Sequence, residues 1–264
     1  MKLQISCQLD YKTQENVPLV LMLRPRSGSG QWVAKEEYLF SPNVPVAEYT
    51  DIYGNLCQRL ISPVGDFTIK TSAIVETNDH IEVNFGAEFV PVENLPDNTL
   101  LYLLPSRYCE SDRFSNMAAE ITQNLTLGYP QVEAIRQWVS NHIVYEYGYS
   151  SSSSSACDIN QSRIGVCRDF SHLGIALCRA INIPARMVVG YLHELKPMDL
   201  HAWFEAYLGG NWYTFDATQT EPKGNRVVLA YGRDAADVAL ATQFGEMQLL
   251  DMIVSVEEIK SVWS

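Results

Sequence analysis

The sequence predicts an α+β protein, with an antiparallel β-sandwich over residues 1–95 followed by a mixed helix-and-sheet unit over 96–264. Three observations predict it. Apolar and polar residues alternate through the first 90 positions, between frequent turn signals. Helical periodicity takes over from about residue 115 to 181, and strand-like runs return between 185 and 231. A block of strands, then helices, then strands with short connections is the pattern of helices packed on antiparallel sheet.

Each element has a local reason. Ile5, Cys7 and Leu9 alternate with polar neighbours, as do Phe67, Ile69 and, less regularly, Ile74; the pattern recurs at Ile81, Val83 and Phe85. Such alternation gives a strand one buried and one wet face. Turn material separates the runs at Ser27-Gly28-Ser29-Gly30, Ser41-Pro42-Asn43, Tyr53-Gly54-Asn55 and Ser62-Pro63-Val64-Gly65. Pro91 to Pro105 reads as a linker. Ser115 can cap a helix through about Leu125, and Pro130 suits the first turn of the next. That second helix carries Val132, Ile135, Trp138, Val139 and Ile143 on one face. Six serines, Ser150 to Ser155, cannot bury area and predict a flexible loop. A helix then opens at Cys167, with Phe170, Leu173, Leu177, Cys178 and Ile181 at helical spacing, and Asn182-Ile183-Pro184 ends it. Strands are expected at 185–192, 201–208, 211–217 and 226–231.

Composition bounds the partners. A net charge of −12 without a Lys/Arg patch argues against nucleic acid and against an anionic membrane surface. No apolar run approaches the roughly 18 residues of a membrane span, and the alternating start lacks the apolar core of a signal peptide. Six cysteines without CxxC spacing suit reduced thiols and a cytoplasmic location, with Cys7 and Cys57 unbridged. Cys157, Cys167 and His201 lack zinc-ligand spacing and no acidic calcium loop occurs, so neither metal nor cofactor is expected. Oligomeric state is open.

The chemistry gathers at Gly165-Val166-Cys167-Arg168-Asp169-Phe170, where a cysteine stands at the point a loop becomes an apolar helix. A helix start offers unpaired N–H groups and the positive end of the dipole, a setting that favours a thiolate nucleophile. His201 opens the strand-like run to Leu208, and Asp216 closes the run from Trp212. A tight turn at Leu208-Gly209-Gly210-Asn211 would bring His201 and Asp216 onto neighbouring rungs of one face. Cysteine, histidine and carboxylate are the parts of a thiol nucleophile, its base and the group that orients the base. Cys178 continues the apolar stripe and reads as core. His80 and His142 carry no motif, His172 lies well around the helix from Cys167, and His193 falls in a loop.

The stretches GVCRDFSHLGIALCRAINIPARMVVGYL (165–192), HAWFEAYLGGNWYTFDAT (201–218) and YGRDAADVA (231–239) resemble the bacterial transglutaminase-like superfamily, whose members are often described as candidate cysteine proteases. The likeness covers roughly residues 100 to 250, with the blocks in the family's order. It departs from the pattern at Ala217, where proline is usual. The resemblance implies a transglutaminase-like (papain-like) α+β catalytic domain with Cys167 as nucleophile, His201 as base and Asp216 as orienting carboxylate. By likeness to papain-like proteases, Gln161 is the candidate second oxyanion donor beside the Cys167 N–H. The implied activity is acyl transfer on peptide or side-chain amides of a protein or peptide substrate, either as a cysteine peptidase or amidase or as a cross-linking transglutaminase. A non-catalytic binding or scaffold protein of the same fold is the rival from another class.

Overall fold

The computed structural model describes residues 1–28 and 30–260; Ser29, in the first expected turn, lies outside them. Two four-stranded antiparallel sheets form the sandwich. The first has the order β14-β1-β6-β3, from β1 (Lys2–Thr13), β3 (Gln31–Ser41), β6 (Gly65–Thr77) and β14 (Gln248–Glu258). The second has the order β13-β2-β5-β4, from β2 (Val17–Arg24), β4 (Val46–Thr50), β5 (Leu56–Ser62) and β13 (Ala241–Gln243). The alternation explains the packing. Ile5, Cys7, Leu9 and Tyr11 of β1 join Phe67, Ile69 and Val75 of β6 and Leu19, Leu21 and Leu23 of β2 in one buried cluster.

Two expectations about this half need correction. Residues 241–258, counted from sequence with the second unit, lie in the sandwich: β14 pairs along nearly the whole of β1 and β13 pairs with β2. The chain therefore begins and ends in the same two sheets. Ile81, Val83 and Phe85 form no strand. The Asn84 side chain accepts the Gly86 N–H at 3.1 Å, its carbonyl accepts the Ala87 N–H at 2.9 Å, and Phe85 sits 5.2 Å from the Tyr129 ring. This turn bends the chain away before a ladder can form.

The second unit opens with the one-turn α1 (Asp97–Leu100), then α2 (Ser115–Thr122) and α3 (Tyr129–His142), the former shorter than expected from Ser115 to Leu125. Short β7 (Val144–Tyr145) and β8 (Ile164–Gly165) pair in parallel around the serine run and α4 (Ala156–Ser162). The long helix α5 (Cys167–Ala180) packs on the third sheet, ordered β11-β10-β9-β12 from β9 (Ala185–Leu192), β10 (His201–Leu208), β11 (Asn211–Phe215) and β12 (Arg226–Gly232). Phe170, Leu173, Leu177 and Cys178 on α5 share a core with Phe204, Ala206 and Phe215 of the sheet and Val132, Ile135 and Val139 of α3. Gly174 sets the depth of contact, since a Cβ there would stand 2.6 Å from the Phe204 ring. The other face of this sheet adds Tyr191, Val227 and Leu229 to the sandwich core. One sheet is thus clamped between helix and sandwich, and one of its ends carries His201 and Asp216.

Candidate active site

Cys167 is the first residue of α5, and the turn before it is held from both sides. The Asp169 carboxylate, wholly buried, accepts the Val166 N–H at 2.9 Å, while the Asp169 and Phe170 N–H groups donate to the Val166 carbonyl at 2.8 and 3.1 Å. That reciprocal cap fixes the angle at which the chain enters the helix. Gly165 is required by the closeness of the cap, because a Cβ there would meet the Asp169 Cβ at 2.8 Å. Arg168 bonds Asp169 Oδ1 through Nε at 3.2 Å and through Nη2 at 3.0 Å, and Nη2 also donates to the Ser151 carbonyl at 2.5 Å. The serine loop is therefore tied to the helix start. The Cys167 side chain is left half-buried at the positive end of the helix.

The β10–β11 hairpin brings the other two residues together. Gly209 and Gly210 turn at φ 54° and 92°, the positive values of a tight two-residue turn, and Leu208 faces Asn211. With Phe204 opposite Phe215, the next rung sets Trp203 across from Asp216 and leaves His201 diagonal to it on the same face. His201 Nε2 and Asp216 Oδ2 lie 2.8 Å apart. Arg226 Nη2 donates to the same oxygen at 2.8 Å, and the Thr218 hydroxyl and N–H donate to Oδ1 at 2.7 and 3.0 Å. The two contacts on Oδ2 are buried, and the two from Thr218 on Oδ1 are part-buried. Burial by itself would push the Asp216 carboxyl up, but the Arg226 charge and the His201 contact hold it well below the ordinary carboxylate range. Burial likewise pulls the His201 imidazole down; the charge and hydrogen bond of Asp216, then the neighbouring Cys167 sulfur, outweigh it and raise the pKa to about 9. Since Nε2 is engaged by Asp216, Nδ1 is the nitrogen left for the thiol.

Gln161 stands apart. It is exposed on α4, where sequence suggested a loop, and no hydrogen bond joins it to Cys167, His201 or Asp216 among the described residues. The helix was legible in Ser155-Ala156-Cys157-Asp158: the Ser155 N–H donates to Asp158 at 2.9 Å in a capping box. Tyr145, which sequence reasoning missed, lies beside Cys167 instead. The β7–β8 ladder sets it opposite Gly165, and its ring packs 5.8 Å from Phe170. Burial, then the Cys167 charge, push the Tyr145 hydroxyl up, while hydrogen bonding to the Cys167 main chain pulls the other way. Thr218 and Arg226 were also missed, although Asp216-Ala217-Thr218 carries the signal of a side chain turning back on its own strand end. Ala217 is buried in the core behind the site. Of the other histidines, His172 is fully buried under Tyr108, and burial takes its pKa down to about 3.

Residues 115–217 match the model of the transglutaminase-like superfamily. The chain is 36% identical to a candidate cysteine protease from Cytophaga hutchinsonii, whose crystal structure it matches with a TM-score of 0.92 over 100% of this chain and 92% of that one. An uncharacterized protein of Mycobacterium leprae is 28% identical over 231 residues, 82% of each chain. Another, from Mycobacterium tuberculosis, is 31% identical over 127 residues, 41% of this chain and 40% of its own. The chain belongs to the transglutaminase-like superfamily, with the α+β fold of that family.

Proposed function

We propose that the protein is a thiol-dependent acyl-transfer enzyme that hydrolyses peptide or side-chain amides, a cysteine peptidase or amidase with Cys167, His201 and Asp216 as its triad. The observation that carries this reading is the His201 imidazole, held by Asp216 at 2.8 Å and raised to about 9 by Asp216 and Cys167 together. At neutral pH it rests as imidazolium, the acid a thiolate nucleophile needs as partner. The Cys167 sulfur attacks the amide carbonyl, forming the C–S bond as the carbonyl π electrons move to oxygen. The Cys167 N–H and the Tyr145 hydroxyl stabilise that oxygen; Tyr145 replaces Gln161 as second donor because of its position beside the sulfur. The imidazolium gives its Nδ1 proton to the nitrogen as the C–N bond breaks, leaving a thioester. The neutral imidazole then takes a proton from water, which attacks the thioester and releases acid and thiolate.

Water is the favoured acceptor because the segment tied to the helix start beside the thiol is polar and exposed. A cross-linking enzyme must admit an amine and keep water out, which calls for apolar walls. Trp203, Phe204, Tyr213 and Phe215 are buried behind the triad. The element tied to Arg168 beside the thiol is the serine run, exposed from Ser151 to Ser153. Incubation with casein and a primary amine, read by mass spectrometry, tests the proposal. Cleavage or deamidation that vanishes in Cys167→Ala is expected. Amine incorporation outpacing both would make the protein a transglutaminase, and no Cys167-dependent product with any of several amide substrates would favour the scaffold reading.

A further inference from the structure

The two sandwich sheets end in β14 and β3 on one and in β13 and β4 on the other. An edge strand presents unpaired N–H and C=O groups, and proteins guard such edges with shortness, charge or bulges. Three of these edges are guarded. β13 has three residues and β4 five. β3 carries Lys35-Glu36-Glu37 at its middle and breaks its register between Val33 and Lys35. β14 is different. It runs for eleven residues, Gln248–Glu258, without proline, lysine or arginine. Its register against β1 slips once, at Leu250, which leaves Asp251–Glu258 regular.

That open edge is also apolar. Leu249, Leu250, Met252 and Ile253 are exposed at 45, 53, 37 and 51%. Single exposed apolar side chains are ordinary, but four crowded onto a strand with a free hydrogen-bonding side form a patch that marks an interaction surface. Both faces of the strand take part: Met252 lies opposite the buried Leu9, and Ile253 opposite Gln8 on the other face. A strand added to the edge would flank side chains on both faces and satisfy the open backbone groups as well.

We propose that β14 is the dimer interface of this protein, pairing antiparallel with β14 of a second copy so that two four-stranded sheets become one. Two identical edges pair in this way about a two-fold axis perpendicular to the sheet, which keeps each side chain on its own face. With the axis at Ile253, the middle of the strand, Ile253 meets itself, Met252 meets Val254 and Asp251 meets Ser255. Apolar side chains meet apolar ones, and Asp251 is kept from facing another acid, which a net charge of −12 per chain makes necessary. The same pairing turns the Glu257-Glu258 end of one strand toward the Gln248 end of the other. There Lys12 stands opposite Gln248, exposed and held only by an ion pair to Asp66 at 3.8 Å. This self-complementarity of pattern and charge favours a second copy over an unrelated peptide. One strand pair is a narrow contact, so the dimer is expected at micromolar strength.

Sedimentation velocity on the full chain, from about 1 to 100 µM, is expected to show a monomer–dimer equilibrium with Kd below about 50 µM. Ile253→Lys sets two like charges opposite each other at the axis and should be monomeric throughout, with an unchanged circular dichroism spectrum because Ile253 is half exposed in the single copy. Cross-linking reads the register. Ile253→Cys, oxidised with copper phenanthroline, should give a dimer whose disulfide maps to position 253 in both chains, since opposed residues lie about 4.5–5.5 Å apart. Ser255→Cys should not link to itself, because its two copies would stand four residues out of register, about 13 Å along the strand. A wild-type protein that stays monomeric at 100 µM would overturn the proposal. So would a dimer that survives in folded Ile253→Lys, or one that Ser255→Cys links and Ile253→Cys does not.

Discussion

Exchanging Asp216 for asparagine tests the electrostatics of the site at its most buried point. The carboxylate takes His201 and Arg226 on one oxygen, both at 2.8 Å, and two donors from Thr218 on the other. Asparagine keeps the shape, loses the charge and presents an amide N–H₂ where two donors now converge. Burial alone depresses the imidazole, and the Asp216 charge and hydrogen bond lead the interactions that bring it to about 9. Without them, and with the Arg226 guanidinium still close by, the imidazole should fall from about 9 to its ordinary value of about 6.5 or lower, a drop of at least about 2.5 pKa units or about 3.4 kcal/mol between its two forms. The same exchange breaks a buried ion pair, at about 3–5 kcal/mol of stability, so folding is checked first by circular dichroism. The assay is the pH dependence of the carbon-13 shift of His201 Cε1, with the alkaline limb of kcat/KM as a second readout. A folded Asp216→Asn in which His201 still titrates near the wild-type value would refute the reasoning, because the imidazole would then owe its protonation to some other group.

Stability should respond to the same imidazole. Its folded pKa, about 9, lies above the ordinary value, so its contribution is fully present below about pH 6.5 and is lost as pH rises through 9. Urea midpoints across that window should fall by an amount worth at most about 3.4 kcal/mol in wild type and by clearly less in His201→Gln; equal slopes would remove His201 as the source. Tyr145→Phe should lower kcat about 100-fold or more with little change in KM or melting temperature, the pattern of a lost oxyanion donor. A KM effect alone would make Tyr145 a binding residue. Gly165→Ala drives a methyl against Asp169 Cβ at 2.8 Å and Oδ2 at 3.0 Å, and should cost about 1–3 kcal/mol while slowing alkylation of Cys167. Unaltered melting and alkylation would show that the helix start yields more easily than the cap geometry implies.

What could be read from the sequence was what local periodicity encodes. Ile5, Cys7, Leu9 and Tyr11 alternate because one face of β1 meets a core, and each is buried to 3% exposure or less. The α5 stripe and the two-glycine hairpin were legible for the same reason, and the hairpin supplied the His201–Asp216 relation. Pairing at a distance was not legible. In β14, Leu249, Leu250, Met252 and Ile253 are exposed and Val256 is buried, so the strand carries no clean period to announce its pairing with β1. Tyr145 reaches Cys167 through a two-rung parallel ladder across the serine run, too short to leave a pattern. Arg226 belongs to β12, which hydrogen-bonds to β9 at the far side of the sheet from β11, yet its guanidinium returns to Asp216. Nothing in the residues around Arg226 signals that reach.

The sheet topology also decides whether the half that carries Cys167, His201 and Asp216 can stand alone. A chain beginning near residue 98 would keep every residue of the triad, and a simple two-domain division would have it fold. The structure gives reasons against that. Tyr191, Leu200, Val227 and Leu229, all in or beside the third sheet, are buried in the sandwich core. Removing the sandwich exposes them together, at about 1.5–3 kcal/mol each or about 6–12 kcal/mol in all, against a typical total stability of about 5–15 kcal/mol. Polar ties are lost as well. The Thr77 hydroxyl donates to the Arg226 carbonyl at 2.7 Å, Gln31 bonds the Val228 N–H and carbonyl at 2.7 and 2.9 Å, and Asn55 bonds those of Tyr231 at 2.8 Å each. All three clamp β12, the strand that carries the arginine behind Asp216. β13 and β14 would meanwhile lose the strands they pair with. The expected outcome for residues 98–264 is loss of the cooperative thermal transition and of preferential Cys167 alkylation, both restored when residues 1–97 are supplied in the same chain. A cooperative melt in the truncated protein, with Cys167 still the first thiol labelled at about pH 6, would mean that helix packing alone organises the sheet and that the sandwich is dispensable to the site.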